Sequence, residues 1–147
     1  MALAMNRDEL SQYLNEVFPQ VHQDFVVEDL TEDTITMRLV VQERHLRPGG
    51  TVSGPSMFGL ADVSVYAMVL ARKGRQSLVV TTNSSLDFLR KPAGGVDLIA
   101  SCRLLKLGRT LAVGDVLIFS EGVDGPVARA TMTYSIPPAG SAAAQFG

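Results

Sequence analysis

The sequence predicts an α+β fold in which a curved antiparallel sheet wraps around one long, buried helix. The first observation is a stretch of 24 residues, from Pro48 to Ala71, that carries a single charge. The second is that two strand-like runs precede this stretch and four follow it, separated by short polar breaks. With 147 residues, of which 46% are hydrophobic, the chain can supply one core of this kind, which we assign to residues 1–136.

The N-terminal part predicts a helix followed by two strands. Asn6 is placed to cap the helix, Glu9 is the reciprocal partner three residues later, and Pro19 ends it. The runs 25–30 and 34–41 predict strands, because apolar and polar residues alternate along the second run and a polar turn separates the two.

The apolar stretch predicts a buried helix from Ser53 or Gly54 to Arg72. Ser53 suits the N-cap, and Pro55 suits the first turn because its missing N–H would have no intrahelical acceptor. A membrane span is the alternative, since about 20 apolar residues can cross a bilayer. The central carboxylate of Asp62, with several Ser and Thr residues, argues against insertion.

The remaining chain predicts four antiparallel strands, over residues 77–89, 96–107, 110–120 and 127–136, and a loose tail over 137–147. A helix that is apolar on nearly every face must be covered on nearly every face. A curved sheet covers most of it, and a partner molecule covers the rest. This arrangement is the hotdog fold.

Composition and charge exclude several classes of function. With 13 basic and 15 acidic residues, the chain lacks the excess of positive charge that nucleic-acid binding requires. Cys102, His22 and His45 are too few for a zinc site, so we expect Cys102 to be a small buried hydrophobe and no metal to be bound. The first five residues are too few for the apolar core of a signal peptide, so we expect a cytoplasmic protein.

Asp62 is the residue that points to chemistry. Burying a carboxylate in an apolar helix costs free energy unless the group is paired or has a function. Asp62 could also bond a backbone group or lie on a solvent-exposed stripe of the helix. Gly54 begins the same helix, where free N–H groups can stabilise an oxyanion, unless the glycines merely form a tight loop. A carbonyl held at the helix start and a water near the carboxylate, two turns later, would suit an acyl-transfer hydrolase without a Ser or Cys nucleophile.

The segment that carries both residues resembles a known signature. Residues 47–62, RPGGTVSGPSMFGLAD, resemble the pattern of hotdog thioesterases of the phenylacetate-degradation type, Asn-Pro-x-Gly-x-x-His-Gly-Gly followed by six residues and Asp. Three later motifs also resemble this family, in the same order: residues 87–90, 108–113 and 124–128. The resemblance covers about residues 25 to 136.

The resemblance implies hydrolysis of an acyl-coenzyme A thioester, with no cofactor beyond the substrate itself. It gives Asp62 the role of general base or nucleophile, and the Gly54 N–H the role of oxyanion donor. This sequence departs from the family pattern at three positions. Arg47 replaces an Asn that helps to position water, Ser53 replaces a His, and Pro55 replaces the second Gly. Ser53 remains a candidate hydrogen-bond donor in the site.

The resemblance also implies that a polar residue from the long strand of the partner subunit lines the site. Thr81 aligns with that residue, and Asn83 is expected on the same strand face, although the polarity could equally mark an exposed or edge strand. Cationic residues near turns could meet the coenzyme's phosphates, and apolar residues of the helix, including Val65 and Met68, could shape an acyl pocket. Solvated surface charge and plain core are the alternatives. The substrate-binding candidates are Arg47, Met57, Phe58, Arg90, Lys91, Gly108 and Arg109.

Two other functions stay open at this point. The loss of the family's Asn and His favours a non-catalytic acyl-CoA-binding module, and His45 with Pro48 and Gly49 faintly matches a hotdog dehydratase motif. For the leading hypothesis, a thioesterase, we expect an acyl-CoA substrate, a homodimer or homotetramer, and no contact with nucleic acid or membrane.

Overall fold

The computed structural model describes residues 2–20 and 23–138, so His22 and residues 139–147 of the predicted tail lie outside it. The predicted helices and strands are all present, and a short 3-10 helix that was not predicted, Glu43–His45, lies in the loop before the long helix. The elements are α1 Arg7–Val17, β1 Phe25–Leu30, β2 Thr34–Leu39, α2 Gly54–Lys73, β3 Val80–Phe88, β4 Leu98–Leu107, β5 Leu111–Ser120 and β6 Ala128–Ser135.

The six strands form one antiparallel, curved sheet around α2, which confirms the predicted hotdog fold. The strand order is β1-β2-β4-β5-β6-β3, so β1 and β3 are the two edges. Helix α2 contacts the five strands from β2 to β6, and α1 packs against α2 and β1. The sheet and the helix are in close contact at Gly114 of β5, where a Cβ atom would lie 2.9 Å from a methyl carbon of Val65.

Both helices begin as the sequence predicts. Asn6 and Glu9 form a reciprocal capping box at the start of α1. Ser53 caps α2 by accepting a hydrogen bond from the Ser56 N–H at 3.3 Å. Among the described residues, α2 is the only helix long and apolar enough to cross a membrane, and 67% of its apolar stretch is buried inside this chain. It is therefore a core helix of this fold.

Cys102 lies in β4 with only 1% of its surface exposed, as predicted. Burial raises the pKa of its thiol to about 12.

The polar strand β3 takes the edge position that the sequence left open as an alternative, and it differs from the prediction in one respect. It is an edge strand that pairs only with β6, which explains its polarity without a functional role for every polar residue. A β-bulge at Thr82 places Thr81 opposite Tyr134 but Asn83 opposite Thr133. Successive residues of β6 point to opposite faces, so Thr81 faces α2 while Asn83 faces outward. The prediction that both share one face is wrong, because the bulge breaks the alternation.

Candidate active site

Asp62 lines a cavity of about 300 Å³ between the end of α1, helix α2 and strand β3, and we call it the Asp62 cavity. Thr81 Oγ1 donates a hydrogen bond to Asp62 Oδ1 at 2.6 Å, and Tyr134 Oη donates to the same oxygen at 2.8 Å. Tyr134 Oη also lies 3.0 Å from the Asp62 backbone carbonyl. In the described part of the chain, no donor contacts Asp62 Oδ2. One carboxylate oxygen is therefore fixed by two hydroxyl groups, and the other is free to accept a proton or contact a substrate.

Tyr134 is a site residue that sequence reasoning missed. It lies opposite Thr81 in the pairing of β3 with β6, so both side chains point toward α2. Burial, together with the negative charge of Asp62, holds the pKa of Tyr134 well above its usual range, and the phenol therefore stays protonated as a donor. A signal existed in the sequence: alternation places Tyr134 on the buried face of β6, where its hydroxyl needs a partner.

A second phenol lies in the same cavity without touching Asp62. The Tyr66 hydroxyl donates to the Ser77 carbonyl at 2.9 Å, and its ring centre lies 6.2 Å from that of Tyr134. Burial raises the pKa of Tyr66 to about 12. Both phenols are thus neutral in ordinary buffers, and Asp62 is the one carboxylate among the described residues that line this cavity.

A second cavity, of about 350 Å³, opens at the start of α2, and we call it the Gly54 cavity. It brings together five of the predicted site residues: Arg47, Gly54, Met57, Arg90 and Lys91. The Gly54 N–H belongs to the first turn, which has no intrahelical acceptors, and no other acceptor for it lies within the described residues. This cavity therefore combines a free N–H with three cationic side chains.

Phe88 covers Gly54, a contact that the sequence did not indicate. A Cβ atom at Gly54 would lie 3.2 Å from Cζ of the Phe88 ring, so the ring lies directly over the glycine, although 54% of Phe88 is exposed. The Ser53 hydroxyl lies within the first turn of α2, where it accepts from the Ser56 N–H and lies 3.0 Å from the Ser56 hydroxyl. Ser53 is thus placed beside Gly54, but its oxygen is engaged in capping the helix.

The structure separates other predicted site residues from these two cavities. Arg109 lines a third cavity with Lys73, at the far end of α2, and the 20-residue helix is about 28 Å long. Arg109 therefore cannot contact the same phosphate as Arg90 in one chain. Gly108 closes the β4–β5 turn through its N–H bond to Leu111, and Phe58 packs against the core.

Gly54 and Asp62 are also too far apart to act together within one chain. They lie on one helix, eight residues apart, which corresponds to about 12 Å along its axis. Thr81, by contrast, reaches Asp62 within its own chain. The expected division, with Gly54 and Asp62 on one subunit and Thr81 supplied by the other, is therefore wrong for the contact between Thr81 and Asp62.

His45 does not form the His–acid pair that a dehydratase would use at this site. Its Nδ1 accepts from the Gln42 N–H at 2.8 Å, and its Nε2 lies 3.3 Å from Asp24 Oδ2. Both ring nitrogens are thus engaged away from Asp62. Within residues 2–20 and 23–138, no three or more His, Cys, Asp or Glu side chains are grouped to hold a metal ion.

Comparisons with known proteins agree with this fold. The crystal structure of a candidate thioesterase from Silicibacter sp. TM1040 is 69% identical, with a TM-score of 0.89, covering 94% of this chain and 96% of that one. A candidate esterase from Pseudomonas aeruginosa is 32% identical over 104 residues, which are 70% of this chain and 75% of that protein. A hypothetical thioesterase from Streptococcus pneumoniae, solved with coenzyme A, shares the fold at 22% identity and a TM-score of 0.71, covering 86% and 95% of the two chains.

The family model of the Thioesterase superfamily matches residues 49–126, a segment that begins in the loop before α2 and ends before β6. It spans more than half of the chain and includes both Gly54 and Asp62. The chain therefore belongs to the Thioesterase superfamily.

Proposed function

We propose that this protein hydrolyses acyl-coenzyme A thioesters and that Asp62 is its catalytic carboxylate. Membership of the Thioesterase superfamily supports thioester hydrolysis in general. The observation that carries the finer assignment is the state of the carboxylate: Thr81 and Tyr134 hold Oδ1, while Oδ2 has no protein donor within the described residues. Such an oriented oxygen suits a general base or a nucleophile.

Two routes use this oxygen. As a general base, Asp62 takes a proton from water while the water oxygen attacks the thioester carbonyl carbon. The resulting oxyanion collapses, the C–S bond breaks, and the proton passes to the departing thiolate. As a nucleophile, Asp62 attacks the carbonyl carbon and expels the thiolate, and water then hydrolyses the mixed anhydride. Both routes place negative charge on the carbonyl oxygen, so both need an N–H donor at that position.

Gly54 supplies that donor in our proposal, and we place it on a second chain. A reacting carbonyl needs the oxyanion donor and the attacking group each about 3 Å away. The separation of about 12 Å along α2 exceeds that reach. We therefore assign each site to Asp62 of one subunit and Gly54 of the partner subunit.

The β3 edge supports an assembly that brings two such sites together. Val80 and Phe88 are each 54% exposed and Leu89 is 50% exposed, although all three are large and apolar. An exposed strand edge with apolar side chains favours pairing with a second copy. A homodimer across this edge is the smallest assembly we propose, and a homotetramer of two such dimers would keep the same sites.

The coenzyme part of the substrate is proposed from charge. Arg47, Arg90 and Lys91 line the Gly54 cavity, and guanidinium and ammonium groups are the usual partners of phosphates. The coenzyme A held by the Streptococcus relative supports the same class of ligand.

A non-catalytic acyl-CoA-binding module is the alternative function. Two positions favour it: Arg47 stands where the family pattern has a water-positioning Asn, and the Ser53 hydroxyl is engaged in capping α2.

Release of free thiol from a panel of acyl-CoAs tests the proposal. We expect Asp62→Asn to remain folded and to release no thiol. Asp115→Asn is the matched control, because Asp115 of β5 is a half-buried carboxylate that accepts hydrogen bonds from Thr131 and Arg129 of β6. Folded Asp62→Asn with unchanged turnover would overturn the catalytic role. Binding without thiol release by the wild-type protein would favour the binding module.

Mixing two inactive variants tests the division of the site between chains. Asp62→Asn lacks the base, and Gly54→Leu fills the Gly54 cavity. In a mixed dimer, one site then carries both defects and the other carries neither. Random exchange of subunits between equal amounts of the two variants should restore roughly a quarter of wild-type turnover. Half of the dimers are then mixed, and half of the sites in a mixed dimer are intact. If both residues acted in one chain, every mixed site would carry one defect and no activity would return.

A further inference from the structure

A cleft between α1 and β1 has no part in the chemistry proposed above. Its volume is about 440 Å³, and we call it the α1 cleft. Its wall is mostly apolar, and none of the described side chains that line it is charged. The lining residues are Ser11, Gln12, Leu14 and Asn15 of α1, Phe25, Val26 and Val27 of β1, Met37 of β2 and Val63 of α2.

The α1 cleft adjoins the Asp62 cavity through a single side chain. Val63 lines both cavities and directly follows Asp62 in α2. Only 6% of Val63 is exposed, so its isopropyl group is the wall between the two spaces. A group attached to a carbonyl at Asp62 therefore has the α1 cleft as an adjoining apolar space.

The residues first considered for an acyl pocket do not offer this space. Val65 and Met68 are fully buried in the core and contact no cavity of the site. Met57 lines the Gly54 cavity with the cationic side chains, which suits the coenzyme end of the substrate. With the coenzyme at that end, we place the acyl group on the opposite side of the carbonyl, toward Val63.

We propose that the α1 cleft binds the acyl group of the substrate and that Val63 sets how far this group enters. The proposal rests on the proposed thioesterase function. It also names a substrate class: uncharged alkyl or aryl acyl groups, because the described lining residues offer apolar surface and no cation to pair with a second carboxylate. Ser11, Gln12 and Asn15 are exposed at the outer rim, where the cleft opens to solvent.

Binding of an acyl-CoA series to the Asp62→Asn protein tests the site without turnover. Isothermal titration with saturated straight-chain acyl-CoAs should show Kd falling about fourfold for each added methylene until the cleft is full. Glutaryl-CoA should bind more weakly than pentanoyl-CoA, because its terminal carboxylate would be desolvated without a partner.

Ser11→Phe should fill the cleft from an exposed position of α1 that tolerates substitution. We expect it to abolish the gain in affinity with chain length while leaving acetyl-CoA binding unchanged. Glu16→Phe is the matched control, because Glu16 is an exposed residue of the same helix that does not line the cleft. Val63→Ala should extend the dependence on chain length to longer chains, whereas Val63→Thr, which has the same shape, should not.

The outcomes separate this proposal from the proposed function. If Ser11→Phe leaves the dependence on chain length unchanged, weakens all ligands equally or acts like Glu16→Phe, the acyl group does not lie in the α1 cleft. Absence of acyl-CoA binding in every variant overturns the proposal as well. Thiol release by the wild-type protein, measured in parallel, reports on hydrolysis alone. Its absence beside intact binding that depends on chain length refutes only the proposed function.

Discussion

Removing the two hydroxyl groups that hold Asp62 tests whether they act as one unit. Tyr134→Phe deletes the donor to Asp62 Oδ1, and Thr81→Val deletes the other donor to the same atom. Only 2% of Tyr134 is exposed, and the phenylalanine ring fills the same space, so no cavity opens. The loss therefore reports on hydrogen bonding rather than on packing.

The magnitude follows from the charge of the acceptor. A hydrogen bond to a charged group contributes about 1.5–3 kcal/mol. After either single substitution, the other hydroxyl still donates a hydrogen bond to Oδ1. We therefore expect each single variant to lose about 1.5 kcal/mol in the free energy of unfolding, at the low end of that range. The double variant leaves the half-buried carboxylate oxygen without a protein donor. It should lose more than the sum of the singles, by about 0.5–1 kcal/mol.

Urea unfolding at neutral pH measures these losses. All variants must be compared at one protein concentration, because the stability of an oligomer depends on it, and equal m-values are needed for a comparison of midpoints. A second double-mutant cycle, with Tyr66→Phe and Thr81→Val, is the control. The Tyr66 hydroxyl lies in the same cavity but donates its hydrogen bond to the Ser77 carbonyl and not to Asp62. This control pair should be additive. Additive losses for Thr81 and Tyr134, within about 0.5 kcal/mol, would refute the shared-acceptor argument.

Three further predictions concern the core, acid stability and the thiol. Gly114→Ala should cost about 1–3 kcal/mol in urea unfolding, because its Cβ would press on Val65, whereas Gly94→Ala should change stability by less than about 0.5 kcal/mol; equal effects would contradict the packing argument. Arg38→Gln should destabilise the protein at neutral pH. Burial alone would raise the pKa of Asp97, but the Val41 N–H and Arg38 outweigh it and lower that pKa, and Arg38 also lowers the pKa of Glu121. A carboxyl group whose pKa is lower in the folded protein stabilises it fully at pH values above its unfolded-state pKa. This stabilisation is lost as the pH falls through its folded-state pKa. The difference in the free energy of unfolding between wild type and Arg38→Gln should therefore become smaller below about pH 4. A difference that stays constant in acid would contradict this reasoning. Cys102 should react with a thiol reagent in mildly alkaline buffer only as fast as the protein unfolds, because burial raises its pKa to about 12; rapid labelling of the folded protein would show that the site is open.

Local signals in the sequence determined the elements of this protein. The Asn6–Glu9 capping box and Ser53 at the start of α2 act over three or four residues, and the alternation in the strands acts between near neighbours. The isolated charge of Asp62 in an apolar helix was equally visible, as was the loop motif with Gly54. Interactions of short range depend on residues that are close in the chain, so composition and spacing suffice to predict them.

Tertiary structure decided which of these residues meet. Tyr134 reaches Asp62 across 72 positions of sequence, and it does so because β6 pairs with β3 in one particular register. One extra residue, Thr82, turns Asn83 to the outer face, and the length of α2 carries Arg109 away from Arg90. Register, bulges and strand order are set by the packing of the whole sheet on α2, since a shift of one residue exchanges the two faces of a strand. No local pattern carries that information, and the partners of Asp62 could therefore be identified only from the folded chain.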